Sequence, residues 1–376
     1  MGSGIAQVAA VHGHRVVLLD AHEGAVEKGR RGIQSALARD VERGRLTAGV
    51  AAGALERVVA IAGTDLAPFT TCGLVIEAIV EQLPAKQAAF RALEAVVSPQ
   101  AVLASNTSSL SIASIASACL NGARVCGIHF FNPAPVMPLV EVVPWLGAGA
   151  GVVAEARALV DGWGKVTVQA ADTPGFIVNR IARPYYGESL RCLEEGIADA
   201  ATIDWAMREA GFRMGPFELM DFIGLDINFA VSQSVFEAFF YEPRFRPALT
   251  QRRLVEAGFL GRKSGRGFYD YGNGATPPEP VRDAALGARV SDRVLAMLIN
   301  EAVDARYLRV ASAADIELAM QRGVNYPRGL LAWCDAIGPA TVLARLEALQ
   351  AEYGEDRYRP SPLLRAIVRD GRSALA

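Results

Sequence analysis

The sequence has little that would direct the protein to a membrane, to nucleic acid or to an oxidising compartment. No apolar run reaches the about 18–20 residues needed to span a bilayer, and the first residues lack the order of a secretory signal. The net charge of −2 does not favour a polyanionic partner. Five cysteines, an odd number without C-x-x-C spacing, favour neither a disulfide framework nor a zinc site. We therefore expect a cytoplasmic protein without metal, nucleic-acid or membrane partners.

The first half of the chain alternates strand-like and helix-like segments. Several strand candidates are continuous Val/Ile/Leu runs, as in parallel sheets covered on both faces. The candidates are residues 15–19, 74–79, 101–104, 124–130, 139–143 and 165–168. A polar, arginine-rich segment at residues 23–51 predicts a pair of helices. This pattern predicts an α/β, Rossmann-like, doubly wound parallel sheet over residues 1–171.

From residue 172 onward the periodicity is helical, and it occurs twice. The segment ESLRCLEEGIADAATIDWAMREA, which begins at Glu188, aligns without gaps with EAVDARYLRVASAADIELAMQRG, which begins at Glu301. The linker GNGATPPEP separates the two parts. We expect two all-α domains related by duplication, at residues 172–271 and 285–376.

The chain opens with MGSGIAQVAAVHGHRVVLLD, which has the order helix, turn, strand and acid. Gly2 and Gly4 open the helix, as do the later glycines of a dinucleotide-binding turn. Asp20 ends the strand, where a carboxylate binds the adenosine ribose and favours NAD over NADP. A tight helix start and a solvated acid are the alternatives. The first strand and glycines of such a unit would lie before Met1, so we expect an interrupted sheet, lower stability and weaker NAD binding.

The stretch GIHFFNPAPVMPLVEVV contains a candidate acid/base pair. His129 lies at the end of an apolar strand pattern, and Glu141 ends a second one. A buried carboxylate beside an imidazole fixes its tautomer and stabilises the imidazolium, which suits general acid/base catalysis. A histidine that serves only to fill the core is the alternative.

Four stretches together resemble the L-3-hydroxyacyl-CoA dehydrogenases. They are VIEAIVE, ASNTSSLSI, GIHFFNPAPVMPLVEVV and DTPGFIVNR, which begin at Val75, Ala104, Gly127 and Asp172. The duplicated helical part resembles the long bacterial form, which includes 3-hydroxybutyryl-CoA dehydrogenases and the phenylacetate-pathway enzyme for 3-hydroxyadipyl-CoA. The resemblance implies NAD-dependent, reversible oxidation of an L-3-hydroxyacyl-CoA, as in fatty-acid β-oxidation, with a short or carboxylated acyl group.

The resemblance also assigns roles residue by residue. His129 matches the catalytic base and Glu141 its orienting carboxylate. Ser108 matches the serine that binds the substrate oxygen, and Asn179 the asparagine supplied by the helical domain. Arg43 stands where the family places a basic residue for the CoA phosphates. The matches on the cofactor side are Gly2, Gly4, Asp20, Ala78, Glu81, Lys86, Asn106, Ser108, Asn132 and Lys263.

Each match has a simpler explanation when it is taken alone. Ser108 and Ser109 could be helix caps, Asn132 could belong to an ordinary turn, and Lys86 could be a solvated helix lysine. Two alternative functions remain. One is a catalytically silent binder of NAD or acyl-CoA, and the other is a dehydrogenase of the same fold for a non-CoA hydroxy acid.

The resemblance also bears on the assembly. The first helical domain forms the dimer in simpler family members, so its duplicate could fill that interface within one chain. We nevertheless expect a homodimer.

Overall fold

Strands and helices alternate in the first part of the chain, as the sequence predicts. The computed structural model describes residues 1–376 and divides them into two compact units, Met1–Asp172 and Thr173–Ala376. The strands of the first unit are β1 (Val16–Asp20), β2 (Val58–Ala62), β3 (Leu74–Glu77), β4 (Val102–Ser105), β5 (Val125–Phe130), β6 (Leu139–Pro144) and β7 (Val166–Gln169). Its helices are α1 (Gly2–Val11), α2 (Glu23–Glu42), α3 (Ala48–Arg57), α4 (Leu83–Val96), α5 (Ile112–Ala116) and α6 (Ala150–Gly162).

The strands form two sheets, β1-β2 and β3-β4-β5-β6-β7. All neighbouring strands are parallel except β5 and β6. Those two are antiparallel because only residues 131–138 connect them, which is too short for the crossover that a parallel pair needs. The Rossmann-like fold is confirmed, and the antiparallel pair is a departure from the uniform parallel sheet that we predicted.

Helix α1 packs against both sheets. Ile5, Val8 and Ala9 lie in one hydrophobic core with residues of β4, β5 and β6, and Val16 of β1 and Ile76 of β3 pack against the same core. Strands β1 and β3 are not hydrogen-bonded to each other, as expected for an interrupted sheet. Burial against a shared helix therefore keeps the two sheets in one unit.

The predicted strands are present to within two residues at each end, but β2 was missed. Its sequence, VVAIA, follows α3 without a glycine, a proline or any other turn signal. The predicted helix pair is confirmed as α2 and α3.

The second unit is built from helices. They are α7 (Val178–Ile181), α8 (Arg183–Glu194), α9 (Ala200–Glu209), α10 (Pro216–Ile223), α11 (Leu225–Ala238), α12 (Leu249–Glu256), α13 (Ala284–Tyr307), α14 (Ala313–Gly323), α15 (Leu330–Ile337), α16 (Pro339–Tyr353) and α17 (Pro362–Asp370). Helix α13 runs through this unit and packs against α8, α9, α15, α16 and α17. No helix of the protein is both long enough and apolar enough to cross a membrane.

A buried carboxylate of α13 binds two arginines of the first helical segment. Oε1 of Glu301 lies 2.6 Å from Nε of Arg180, and Oε2 lies 2.9 Å from Nη1 of Arg244. All three side chains are buried. The first segment thus supplies the positive charge that neutralises a carboxylate of the second.

The reverse arrangement occurs at Glu188 of α8. Its Oε2 lies 3.0 Å from Nε of Arg293, and its Oε1 lies 3.2 Å from Nη2 of Arg357. Both arginines belong to the second segment, and their positions are those onto which Arg180 and Arg244 fall when Glu188 is aligned with Glu301. The ion pairs between the two segments are therefore reciprocal. The division into separate domains at residues 172–271 and 285–376 stays a prediction, because both segments lie in one compact unit.

Candidate active site

The start of α1 packs closely against other parts of the first unit. A Cβ on Gly2 would lie 3.8 Å from Cβ of Ala78, and one on Gly4 would lie 3.2 Å from Cδ of Pro135. No side chain caps the helix, and its first backbone bonds are those from the N–H groups of Gly4 and Ile5 to the carbonyl oxygen of Met1. The N–H groups before Gly4 point to the helix start, where an anion is favoured. Asp20 is exposed at the carboxyl end of β1. These groups fit a dinucleotide, with its pyrophosphate at the helix start and its adenosine ribose at Asp20.

His129 and Glu141 face each other across the antiparallel strand pair. They are register partners in β5 and β6, and Nδ1 of His129 lies 2.7 Å from Oε2 of Glu141. His129 is 5% exposed and Glu141 is fully buried. Because a carboxylate can only accept, the proton of the neutral imidazole lies on Nδ1, and Nε2 is the basic nitrogen. Glu141 lies within β6 rather than at its end, a correction to the sequence prediction.

Glu81 holds the serine loop, residues 105–109, by several hydrogen bonds. Its Oε1 accepts from Oγ1 of Thr107 at 2.5 Å, from the backbone N–H of Ser108 at 3.0 Å and from Oγ of Ser109 at 3.0 Å. Burial raises the pKa of Glu81, but the hydrogen bond from Thr107 and the charge of Lys86 outweigh it and lower the pKa below its usual value. Glu81 therefore orders the loop in its ionised form.

Lys86 is a buried lysine rather than a solvated one. Its ammonium lies 2.7 Å from Oε1 of Glu77 and 3.1 Å from Oε2 of Glu81, and the side chain is 1% exposed. Glu77 also accepts from Oγ of Ser105 at 2.7 Å. Lys86 thus joins the end of β3 to Glu81, which orders the serine loop. The alternative interpretation of Lys86 as a solvated helix lysine is wrong.

The serines are not helix caps either. Helix α5 begins at Ile112, and its cap is Ser111, whose Oγ accepts from the N–H of Ser114. Asp172 adds two further bonds, from the N–H groups of Ile112 at 2.9 Å and Ala113 at 2.7 Å. The alternative that Ser108 and Ser109 cap this helix is therefore wrong.

Two predicted asparagines lie on either side of the end of β5. Oδ1 of Asn106 accepts from the backbone N–H of Phe130 at 2.8 Å, which ties the serine loop to the strand that carries His129. Asn132 is exposed, two residues beyond that strand end, and precedes Pro133. Both predicted asparagines thus lie near the end of β5, the strand that carries His129.

Three further predicted residues lie outside the strand ends and the serine loop described above. Arg43 is exposed at the carboxyl end of α2. Asn179 and Lys263 belong to the second unit. Asn179 lies in α7 and is half-buried. Nζ of Lys263 lies 2.5 Å from Oδ1 of Asp226. The first unit therefore contains His129, Glu141, Ser108, Arg43 and every predicted cofactor residue except Lys263.

Sequence reasoning missed several residues that organise this site. They are Glu77, Ser105, Thr107, Lys165 and Asp172. Glu77 and Ser105 end neighbouring strands β3 and β4, so a pair of polar residues at adjacent strand ends was the available signal.

Comparison with known families agrees with this geometry. The profile of the 3-hydroxyacyl-CoA dehydrogenase NAD-binding domain matches residues 1–173. The profile of the C-terminal domain of the same enzymes matches residues 175–271 and again 290–375. The chain belongs to the 3-hydroxyacyl-CoA dehydrogenases.

Members of this dehydrogenase family resemble the chain over most of its length. The 3-hydroxyadipyl-CoA dehydrogenase of Escherichia coli is 42% identical over 99% of this chain and 96% of its own length. The human mitochondrial hydroxyacyl-coenzyme A dehydrogenase is 40% identical over 72% of this chain and 88% of its own. The crystal structure of 3-hydroxybutyryl-CoA dehydrogenase from Escherichia coli superimposes with a TM-score of 0.91 at 40% identity, covering 99% of this chain and 97% of that one.

Proposed function

We propose that the protein catalyses the reversible, NAD-dependent oxidation of an L-3-hydroxyacyl-CoA to the 3-ketoacyl-CoA. The observation that carries this proposal is the 2.7 Å contact between Nδ1 of His129 and Oε2 of Glu141 in a buried strand pair. A neutral imidazole held in one tautomer is the base that removal of a hydroxyl proton requires.

The proton and the hydride leave the substrate for different acceptors. His129 accepts the proton of the 3-hydroxyl on Nε2, and Glu141 stabilises the imidazolium that forms. The C3–H bond breaks as the C3=O bond forms, and NAD, when bound, would supply the acceptor for the hydride. In the reverse direction His129 returns the proton to the oxygen of the ketone.

Ser108 positions the substrate oxygen in this proposal, and the assignment of Asn179 to the substrate stays a prediction. The backbone of Ser108 is fixed by Glu81, so its hydroxyl is presented from an ordered loop. An ordered donor costs little further entropy when the substrate binds, which favours the reactive geometry. Arg43 binds CoA phosphates, and the dinucleotide contacts Gly2, Gly4 and Asp20.

The substrate class follows from the relatives and is a short or carboxylated acyl-CoA. One relative is named for 3-hydroxyadipyl-CoA, and others are named for 3-hydroxybutyryl-CoA. Such substrates place the protein in β-oxidation or in phenylacetate breakdown.

The direct test is loss of NADH absorbance with acetoacetyl-CoA and with 3-ketoadipyl-CoA. We expect turnover with at least one thioester and a preference for NADH over NADPH. NADH binding without turnover of any thioester would instead favour the silent binder. Turnover of the free hydroxy acid but not its thioester would favour a non-CoA dehydrogenase.

The assembly and the location stay predictions. We propose a homodimer in the cytoplasm, without nucleic-acid or membrane partners; the net charge of −2 is consistent with this. The reciprocal ion pairs of Glu188 and Glu301 already join the two helical segments within one chain. Light scattering at micromolar concentration distinguishes a monomer from a homodimer. A mass of 40 kDa would show a monomer, in which the duplicated segment fills the interface within one chain, and twice that mass would support the homodimer.

A further inference from the structure

Lys165 is a buried lysine bound to backbone rather than to an acid. It lies directly before β7 and is 9% exposed. Its Nζ donates to the carbonyl oxygen of Ala134 at 2.5 Å and to that of Met137 at 2.9 Å. Burial lowers the pKa of Lys165. Burying an ammonium group costs desolvation free energy, so we expect Lys165 to have a structural role that offsets this cost.

Both carbonyls belong to the proline loop, residues 131–138, which joins the strand of His129 to the strand of Glu141. Within the loop, the N–H groups of Val136 and Met137 both donate to the carbonyl of Pro133. The two bonds from Lys165 hold the loop from the side of β7.

The other side of the same loop meets the helix that begins the dinucleotide unit. A Cβ on Gly4 would lie 3.2 Å from Cδ of Pro135 and 3.4 Å from Cβ of Ala134. The proline loop is therefore in contact with α1, is bound by Lys165 and connects the two catalytic strands. A shift of this loop would change both the catalytic pair and the start of α1.

We propose that Lys165 is a positioning residue, which fixes the proline loop through the carbonyls of Ala134 and Met137 and thereby sets the geometry of His129 and of the dinucleotide-binding helix start. This inference rests on the proposed dehydrogenase function. It assigns Lys165 no contact with substrate or cofactor.

The test compares Lys165→Met, which removes the donors and the charge, with Lys165→Arg, which keeps both in a different shape. Lys28→Met is the matched control, because Lys28 is exposed on α2. Each protein is assayed for kcat and KM with acetoacetyl-CoA, for the Kd of NADH by fluorescence, and for amide exchange of the proline loop without cofactor. Exchange reads the loop independently of activity.

We expect Lys165→Met to lower kcat by about 10–100-fold, since small displacements of reacting groups have effects of this size. The Kd of NADH should rise several-fold, and the amides of Val136 and Met137 should exchange faster. Lys165→Arg should recover part of each loss, and Lys28→Met should match the wild type.

Folded Lys165→Met with wild-type kcat, NADH affinity and loop exchange would overturn the inference. If Lys165→Met is insoluble, Lys165→Gln decides, because it removes the charge and shortens the donor: wild-type values in all three measurements would overturn the inference, and a lower kcat with faster loop exchange would support it. A wild-type protein that turns over no thioester would refute the dehydrogenase function instead, while faster loop exchange in the variants would still support the positioning role.

Discussion

Glu188 and Glu301 occupy equivalent positions in the two helical segments, and each binds two arginines of the opposite segment. Both carboxylates are at most 1% exposed. Because each ion pair crosses from one segment to the other, the two segments stabilise each other at these points. Removing either carboxylate would leave buried arginines of the other segment without their partner.

Glu301→Gln should destabilise the protein by about 3–5 kcal/mol, because it leaves the buried charges of Arg180 and Arg244 without their main partner. Glu347→Gln is the matched control, since the pair of Glu347 with Arg365 is about half exposed. The control should cost less than about 1 kcal/mol. Urea denaturation of both variants measures the difference, and equal midpoints would contradict a stabilising role for the reciprocal pairs.

Glu141→Gln should lower kcat by about 100-fold or more, because an amide cannot hold the imidazole in one tautomer or stabilise the imidazolium. The side chain keeps its size, so the fold and NADH binding should change little. Steady-state kinetics and an NADH titration on the same preparation check this expectation. A kcat within threefold of the wild type would show that Glu141 does not orient the base.

Glu81→Gln should lower kcat/KM for the acyl-CoA by about tenfold, because an uncharged amide accepts weaker bonds from the serine loop and loses the ion pair with Lys86. Glu56→Gln is the control, since Glu56 is exposed on α3.

The pKa of Glu81 is lowered in the folded protein, which also predicts a pH dependence. The stabilising effect of Glu81 is present above its unfolded pKa and is lost as pH falls through the folded pKa. The wild-type serine loop should therefore lose order at acidic pH, and amide exchange of residues 107–109 at two pH values reads this loss.

Asp204 should make the second unit less stable as pH rises through the acidic range. Burial raises its pKa to about 7, although hydrogen bonds from Tyr269, Phe217 and Glu218 oppose the shift. Between the unfolded pKa near 4 and this value the folded state binds the extra proton, so stability falls with rising pH. The loss is on the order of a few kcal/mol. Melting temperatures across this range should fall more in the wild type than in Asp204→Asn, and parallel curves would contradict the assignment.

The sequence predicted that His129 and Glu141 form a pair because each was expected to end an apolar strand pattern, with a proline-rich connection between the two strands, and the contact between the two side chains is present. It could not show that Glu141 lies within its strand. Apolar residues continue on both sides of Glu141, and only the register with β5 places its carboxylate opposite His129.

The burial and the partners of Lys86 and Lys165 could not be predicted from the sequence. A lysine on an amphipathic helix is ordinarily solvated, and nothing near Lys86 in sequence reveals that Glu77 ends a neighbouring strand within its reach. The partners of Lys165 are backbone carbonyls, which have no residue type to recognise. Strand β2 was missed for a related reason, because Val58 continues directly from a helix.

The central claim is that His129 is the base of a dehydrogenase, and His129→Gln tests it most directly. We predict that this variant binds NADH with nearly wild-type Kd while kcat for acetoacetyl-CoA reduction falls by about 100-fold or more, because the general acid/base is removed and the dinucleotide residues are not. Both quantities should be measured on one folded preparation with the wild type alongside. Near-normal turnover in His129→Gln would contradict the account.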